Sequence, residues 1–410
     1  MTTDFLWGVA IAGHQNEGDN VHSDIWALEH VTPTIFREPS GVANAHLARW
    51  EEDLDLVASL GMNAFRFSVE WARIEPARGE IVAGALDHYE RVIDGALERG
   101  LAPVVTFNHF ASPQWFAAAG SWLAPDADRL FAEQCSRVMR RFGDRIHTAV
   151  TINEPNLEQL LQAGHKLPPQ VEVLKREMLA AAARGAGTAE YFASNVIPAD
   201  RQDDFEAALT RAHRAAVAAI KAERADLPTG VSIAICDEVA LPGGEAHRDA
   251  KRAAVYDHWL RVARDDDFIG VQNYEQIVHG PDGEVEVDGP RNGMGTAIAP
   301  EALAGAVRYA HAVSGVPVIV TEHGIQTDDD AQREAFIPAA LEALDAEIAG
   351  GTPVQGYCHW TLMDNFEWIF GYGPKLGLVA VDRDTLERTK KPSADVYARE
   401  VAQRVAVLVR

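Results

Sequence analysis

The chain has little cysteine. Its 410 residues include three, Cys135, Cys236 and Cys358. An odd number set in apolar or mixed runs reads as reduced, structural thiols, not a disulfide framework, and fits a cytoplasmic protein. Basic residues are also scarce: 37 Lys and Arg stand against 61 Asp and Glu, a net charge of -24. That balance disfavours nucleic acid, anionic membranes and strongly acidic substrates as partners. No apolar run approaches the roughly 18 residues of a membrane span. The opening Met-Thr-Thr-Asp-Phe-Leu-Trp-Gly has no basic n-region and no small-residue cleavage site, so no signal peptide is expected.

Several motifs are absent as well. No G-x-G-x-x-G or P-loop follows an apolar run, so nucleotide binding has no support. No G-x-S-x-G argues for an α/β-hydrolase. The 15 histidines include no H-E-x-x-H, and there is no Cys-x-x-Cys. Asp265-Asp266-Asp267 and Asp328-Asp329-Asp330 read as loop turns or helix caps. Neither a metal nor a cofactor is expected.

What the chain does have is a repeated alternation. Eight short runs rich in Val, Ile and Phe read as strands: Phe5–Ala12, Ala64–Val69, Pro103–Phe107, Thr148–Ile152, Val231–Ile235, Phe268–Gln272, Pro317–Thr321 and Val354–Trp360. Several are nearly continuously apolar, as strands covered on both faces are. Helical stretches are predicted near 46–60, 84–99, 126–142, 204–224, 252–264, 299–314, 331–349 and 393–404, and Gly61, Gly100 and Gly315 sit where C′ glycines close helices. Eight such units point to a closed (β/α)8 TIM barrel, residues 1–410 as one catalytic domain with extended βα loops. A doubly wound open sheet is the alternative. Three segments after strands are long, 155–203, 273–298 and 361–392. The first carries an amphipathic stretch near 169–183, and Pro-Asp-Gly at 281–283 suggests a small hairpin in the second. All three follow strand C-termini, the face on which barrel active sites are built.

Candidate chemistry collects at the same strand ends. Glu154 follows the fourth strand in Thr-Ile-Asn-Glu-Pro, and Glu322 follows the seventh in Val-Thr-Glu-His-Gly, where Gly324 permits a tight departure from the sheet. Either Glu alone is an ordinary loop carboxylate. Together, on roughly opposite sides of a barrel mouth, they suit glycoside cleavage, which needs one acid for the leaving oxygen and one carboxylate for the anomeric carbon. Arg66 lies within an apolar strand and so needs a carboxylate partner, Glu322 or Glu154. Gln15, His109, Gln272, Tyr274, Trp360, Glu367 and Trp368 also stand at strand ends. Singly, His109 is a satisfied core histidine and the tryptophans are packing residues. Jointly they offer the flat faces and polar acceptors that suit a polyol.

These motifs resemble glycoside hydrolase family 1, the β-glucosidase family, over nearly the whole chain. Phe5-Leu-Trp-Gly-Val-Ala with Gln15-Asn-Glu-Gly is similar to that family's opening signature. Phe65-Arg-Phe-Ser-Val-Glu-Trp-Ala-Arg-Ile-Glu-Pro, Thr106-Phe-Asn-His-Phe with Pro113-Gln-Trp, Thr151-Ile-Asn-Glu-Pro, Val320-Thr-Glu-His-Gly, Trp360-Thr-Leu-Met-Asp-Asn-Phe-Glu-Trp and Gly377-Leu-Val resemble its later motifs in order and spacing. The resemblance implies a TIM barrel and retaining, exo-acting hydrolysis of a small-molecule β-glycoside, most simply a β-glucoside, with β-galactosidase or β-fucosidase side activity. It implies Glu154 as general acid/base and Glu322 as nucleophile. Asn153 would bind the sugar 2-OH, and Gln15, His109, Glu367 and Trp368 the other hydroxyls. Trp360 would stack beneath the ring. Arg66 and Tyr274 would orient Glu322, with Gln272 in support. Transglycosylation on the same site, or a non-catalytic carbohydrate-binding barrel, are the alternatives.

The chain departs from the family pattern at five places. His323 stands where Asn is usual, Phe110 where Trp is, His14 where Tyr is, and Gln272 where Asn is. Asn156 replaces a usual aromatic. None removes a catalytic carboxylate. Trp368 after Glu367, where 6-phospho-glycosidases tend to have Ser, disfavours a phosphorylated sugar.

Overall fold

The computed structural model describes residues 5–164 and 168–408. The first four residues, part of the segment read as lacking a signal peptide, lie outside them. Eight parallel strands close into a barrel in chain order: β1 (Leu6–Ala10), β2 (Ala64–Ser68), β3 (Ala102–Asn108), β4 (Thr148–Asn153), β5 (Thr229–Ala234), β6 (Phe268–Asn273), β7 (Val318–His323) and β8 (Val354–Trp360), with β8 pairing back to β1. The eight runs read from the sequence are these strands, and the open-sheet alternative is excluded.

The barrel interior follows from the period of two along a strand. Leu6, Ala64, Val104, Val150, Phe268 and Ile319, one from each of six strands, form an apolar plug at one level. Two residues further along are Gly8, Arg66 and Gly270. Gly270 leaves no room for a larger residue, since a Cβ there would lie 2.1 Å from Ser232 Oγ. The long guanidinium of Arg66 therefore enters above the plug because it shares a face with Ala64.

Two strands break this alternation. In β4 three residue steps, Val150 to Asn153, pair with two steps of β5, Gly230 to Ser232. In β7 two steps, Val320 to Glu322, pair with one step of β6, Val271 to Gln272. An extra residue of this kind re-aims the side chains beyond it. Val150 and Asn153, like Ile319 and Glu322, are three apart in sequence, yet both members of each pair face inward.

The surrounding helices match the predicted ones with one correction. The helix expected at 252–264 is two helices, Glu245–Val255 and Asp257–Val262. The break is at Tyr256, whose buried hydroxyl donates to Glu238 Oε1 at 2.7 Å and ties the turn to a small accessory sheet. That sheet contains the predicted hairpin, Gln276–Gly280 with Gly283–Val285, plus an unpredicted strand, Asp237–Ala240. The amphipathic stretch near 169–183 is the helix Pro169–Ala186. Gly61, Gly100 and Gly315 close their helices at φ 74°, 73° and 77°, which only glycine adopts at little cost. Gly324 has a different role from the one expected. Its φ is not positive, and a Cβ there would lie 2.2 Å from the Trp360 carbonyl oxygen, so it permits β7 and β8 to approach closely. All three cysteines are buried free thiols.

Candidate active site

The strand ends bring the candidate residues together at one mouth. Arg66 is fully buried and donates through Nη1 to Glu322 Oε1 at 2.5 Å and to the Thr321 carbonyl at 3.2 Å. Its Nη2 donates to Asn153 Oδ1. Of the two carboxylates the strand pattern left open, Arg66 pairs with Glu322, the partner the resemblance implies. Tyr274, the first residue beyond β6, donates to Glu322 Oε2 at 2.7 Å. Gln272 donates to Asn153 Oδ1 at 2.7 Å. Asn153 Nδ2 lies 3.3 Å from His109 Nε2, which is itself 4.0 Å from Glu322 Oε1. One buried cation thus orders a nucleophile-type carboxylate on β7 and an amide on β4.

Glu154 stands one residue past β4 with φ 44°, a left-handed backbone that Glu adopts only under constraint. Its amide donates to the Ser232 carbonyl at 2.8 Å. Burial pushes its carboxyl well above the carboxylate range, and the negative charge of Glu322 pushes it further. Glu322 is pushed up by burial too, but the charge and hydrogen bond of Arg66, then the Tyr274 hydrogen bond, pull it back. The two environments separate the carboxyls: Glu154 holds a proton where Glu322 is the more readily ionised. His109 is driven well below its ordinary value by burial and by Arg66, so it is a neutral imidazole.

The opposite wall is aromatic. His109 stacks on Trp360 at 5.7 Å and on Trp368 at 6.3 Å, and Trp368 stacks on His14 at 5.6 Å, with interplanar angles of 17°, 12° and 8°. Glu367 lies between these rings in sequence. Burial and then the charge of Glu322 push its carboxyl up to about 8, against hydrogen bonds from Trp360 and Gln15. Gln15, in the short helical turn Gly13–Asn16 beyond β1, donates to the Phe366 carbonyl at 2.8 Å. Gln15 Oε1, His109 Nδ1 and Glu367 Oε1 are buried with no partner among the described residues. Buried polar atoms normally have one, so this wall has unmet capacity suited to hydroxyl groups.

The five departures separate by position. Gln272 bonds Asn153, and Phe110 meets Trp368 and His109 edge-on. His14 backs Trp368 and is held by Glu29 at 2.9 Å and Ser23 at 3.2 Å. His323 points away from Glu322, to the Tyr357 hydroxyl at 2.9 Å and the Phe336 ring, and burial lowers it to about 3. Asn156 also leaves the site. It donates to the Ala234 carbonyl at 2.7 Å and accepts from the Ala234 amide at 3.1 Å, pinning the loop after β4 to the end of β5.

Sequence reasoning missed the ties that hold the loops. Asp24 is fully buried and accepts from the amides of Ile25, Ser112 and Ser194 at 2.7–2.8 Å, joining the segments after β1, β3 and β4. Burial pushes its carboxyl up to about 7 despite those bonds. Asn365, 3.4 Å from Gln15 Nε2, was also missed. No local pattern marks Asp24, and Asn365 sits inside the motif Trp360–Trp368 without being singled out there. Among the described residues no His, Cys, Asp and Glu group is arranged to hold a metal ion, and no helix is long and apolar enough to cross a membrane.

Two carboxyls at the ends of β4 and β7, split in proton affinity, beside an aromatic and amide-lined wall, define a barrel of the glycoside-cleaving class. The family model for glycosyl hydrolase family 1 matches residues 1–261 and 261–405, and the chain belongs to that family. A bifunctional β-D-glucosidase/β-D-fucosidase of Bifidobacterium breve is 30% identical, over 98% of each chain. Among solved structures, a β-glycosidase designated BGL167 is 46% identical and superposes with a TM-score of 0.92, over 98% of this chain and 97% of that one. A Thermotoga maritima β-glucosidase in complex with deoxynojirimycin is 26% identical with a TM-score of 0.83, over 98% of each.

Proposed function

We propose that the protein is a retaining, exo-acting β-glucosidase that takes small-molecule β-glycosides, with the residues acting as follows. Glu322 attacks the anomeric carbon while Glu154 gives its proton to the leaving oxygen. A covalent glycosyl-enzyme forms and the aglycone departs. The charge of Glu322 is then consumed, so the main electrostatic pressure keeping Glu154 protonated disappears, and Glu154 takes a proton from the incoming water. Water attack releases the sugar and restores the Glu322 carboxylate.

The observation that carries this reading is the grip on Glu322. Arg66 and Tyr274 occupy one oxygen each at 2.5 and 2.7 Å, which fixes the carboxylate and favours its charged form. Asn153, held by Arg66 and Gln272, is positioned for the sugar 2-OH, and a bond that tightens there in the transition state lowers the barrier. Gln15, His109, Glu367 and Trp368 hold the remaining hydroxyls, with Trp360 as the platform beneath the ring. The relatives' activities support glucose as the sugar, with fucose as an accepted variant. The test is release of nitrophenol from a panel of aryl β-glucoside, β-galactoside, β-fucoside, β-xyloside, β-mannoside and α-glucoside. The β-glucoside is expected to turn over fastest, the α-glucoside not at all, and Glu322→Ala to lose turnover while remaining folded. Turnover of the α-anomer, or an active Glu322→Ala, overturns the reading.

A further inference from the structure

Glu154 also lines a small space. Its wall includes Asn108, Phe110, Glu154, Glu158, Asn195 and Leu209, and does not include Glu322, Gln15 or Trp360. It adjoins the sugar-facing side of the mouth at Asn153 and Glu154 without reaching Glu322. Its free volume, about 20 Å³, suits one water molecule and is far too small for an aglycone.

The polar atoms of this wall are nearly all engaged. Ser194 Oγ accepts from Trp122 Nε1 at 3.0 Å and from Ser112 Oγ at 3.1 Å. Glu158 Oε1 accepts from the buried Lys175 ammonium at 2.6 Å. Asn153 Oδ1 is taken by Arg66 and Gln272. Asn195 Oδ1 differs: it is buried and has no hydrogen-bond partner among the described residues. A residue with an orphaned acceptor in the wall of a water-sized space is where proteins hold internal water. Glu154, in the same wall, is controlled by burial and by the charges of Glu322, Arg66 and Glu367, with no hydrogen bond to its carboxyl from a described side chain.

We propose that this chamber holds one ordered water bridging Asn195 Oδ1 and the Glu154 carboxyl, and that Asn195 is thereby a positioning residue for the acid/base. The inference rests on the reading of Glu154 given above. A water suits the place because it serves both states of the cycle. It accepts from Glu154 when the carboxyl is protonated and donates to it when ionised, giving its other hydrogen to Asn195 throughout. No amide or hydroxyl fixed in place does both as readily. Once the charge of Glu322 is consumed, the bridge favours the ionised form that deglycosylation needs, together with the charge of Arg66. Tyr274 faces the same carboxylates, and Glu158, paired with Lys175, lines the chamber.

The test has two arms. A crystal structure of the wild-type enzyme resolving ordered waters should show one within hydrogen-bond distance of both Asn195 Oδ1 and Glu154. A dry chamber, or a water that does not reach Glu154, overturns the inference. Asn195→Leu, which fills the space, should lower kcat on a dinitrophenyl β-glucoside about tenfold at neutral pH. It should also move the alkaline limb of the kcat/KM profile upward, because the charged form of Glu154 loses a donor. Asn195→Ser, which leaves room for water and keeps a hydroxyl, should restore both. An unchanged Asn195→Leu profile overturns the inference, and if that variant fails to fold the crystallographic arm decides. Azide rescue of Glu154→Ala separates the two levels. Rescue with an unchanged Asn195→Leu leaves the acid/base reading standing, and no rescue overturns both.

Discussion

Arg66 donates to Glu322 Oε1 at 2.5 Å from inside the barrel, with its guanidinium fully buried. A charge in that position is tolerated only because it is paired, and the pair is what orders the mouth. Arg66→Met should leave Glu322 as an unpaired buried carboxylate. The loss of stability is expected to be about 3–5 kcal/mol, measured by denaturant unfolding. The kcat/KM of the folded fraction should fall about a hundredfold or more.

Tyr274 holds the second oxygen of Glu322, and its removal should show in the pH profile. A hydrogen bond to the charged form lowers a carboxyl's pKa, so Tyr274→Phe should raise that of Glu322. The acid limb of kcat/KM should then move toward neutral pH. At the optimum the loss should be about tenfold, as one charge-assisted hydrogen bond implies. An acid limb that stays put would show that Tyr274 does not act on Glu322.

Glu367 sets binding against stability. Its carboxyl is pushed from the ordinary 4.5 up to about 8 in the folded protein. Above pH 4.5 the unfolded chain ionises this group while the fold keeps it protonated, so it draws down stability progressively as pH rises toward 8. Glu367→Gln removes that drain. The Tm gain of the variant should be larger at pH 8 than at pH 5, measured by thermal unfolding, while KM for the β-glucoside rises.

Asn156 should behave oppositely to its neighbour Glu154. It pins the loop after β4 to Ala234 through two buried hydrogen bonds and does not face the sugar side. Asn156→Ala should cost about 1–3 kcal/mol of stability. Sugar selectivity across the aryl panel should stay unchanged. Altered selectivity would return Asn156 to the substrate-facing wall.

The barrel was legible because each strand carries its own apolar run, and burial on both faces is a local property. Arg66 stood out for the same reason, as a charge where none is cheap. The choice of Glu322 over Glu154 as its partner was legible only through the family resemblance, not in the strand pattern. It depends on one extra residue in β7 and one in β4, and a register slip leaves no mark in composition or periodicity. The helix Glu245–Val255 was partly hidden because it buries only Lys251 and Val255. Asp24 acts through backbone amides of distant segments, which a single sequence does not display.

The central claim is that Glu322 carries the sugar between the two steps. Incubation with a 2-fluoro-β-glucoside bearing a good leaving group, followed by digestion and mass spectrometry, tests it most directly. The account requires one covalent label per active site, on the peptide containing Glu322, with activity lost in proportion. A label on any other residue, or none while the β-glucoside is hydrolysed, would contradict it.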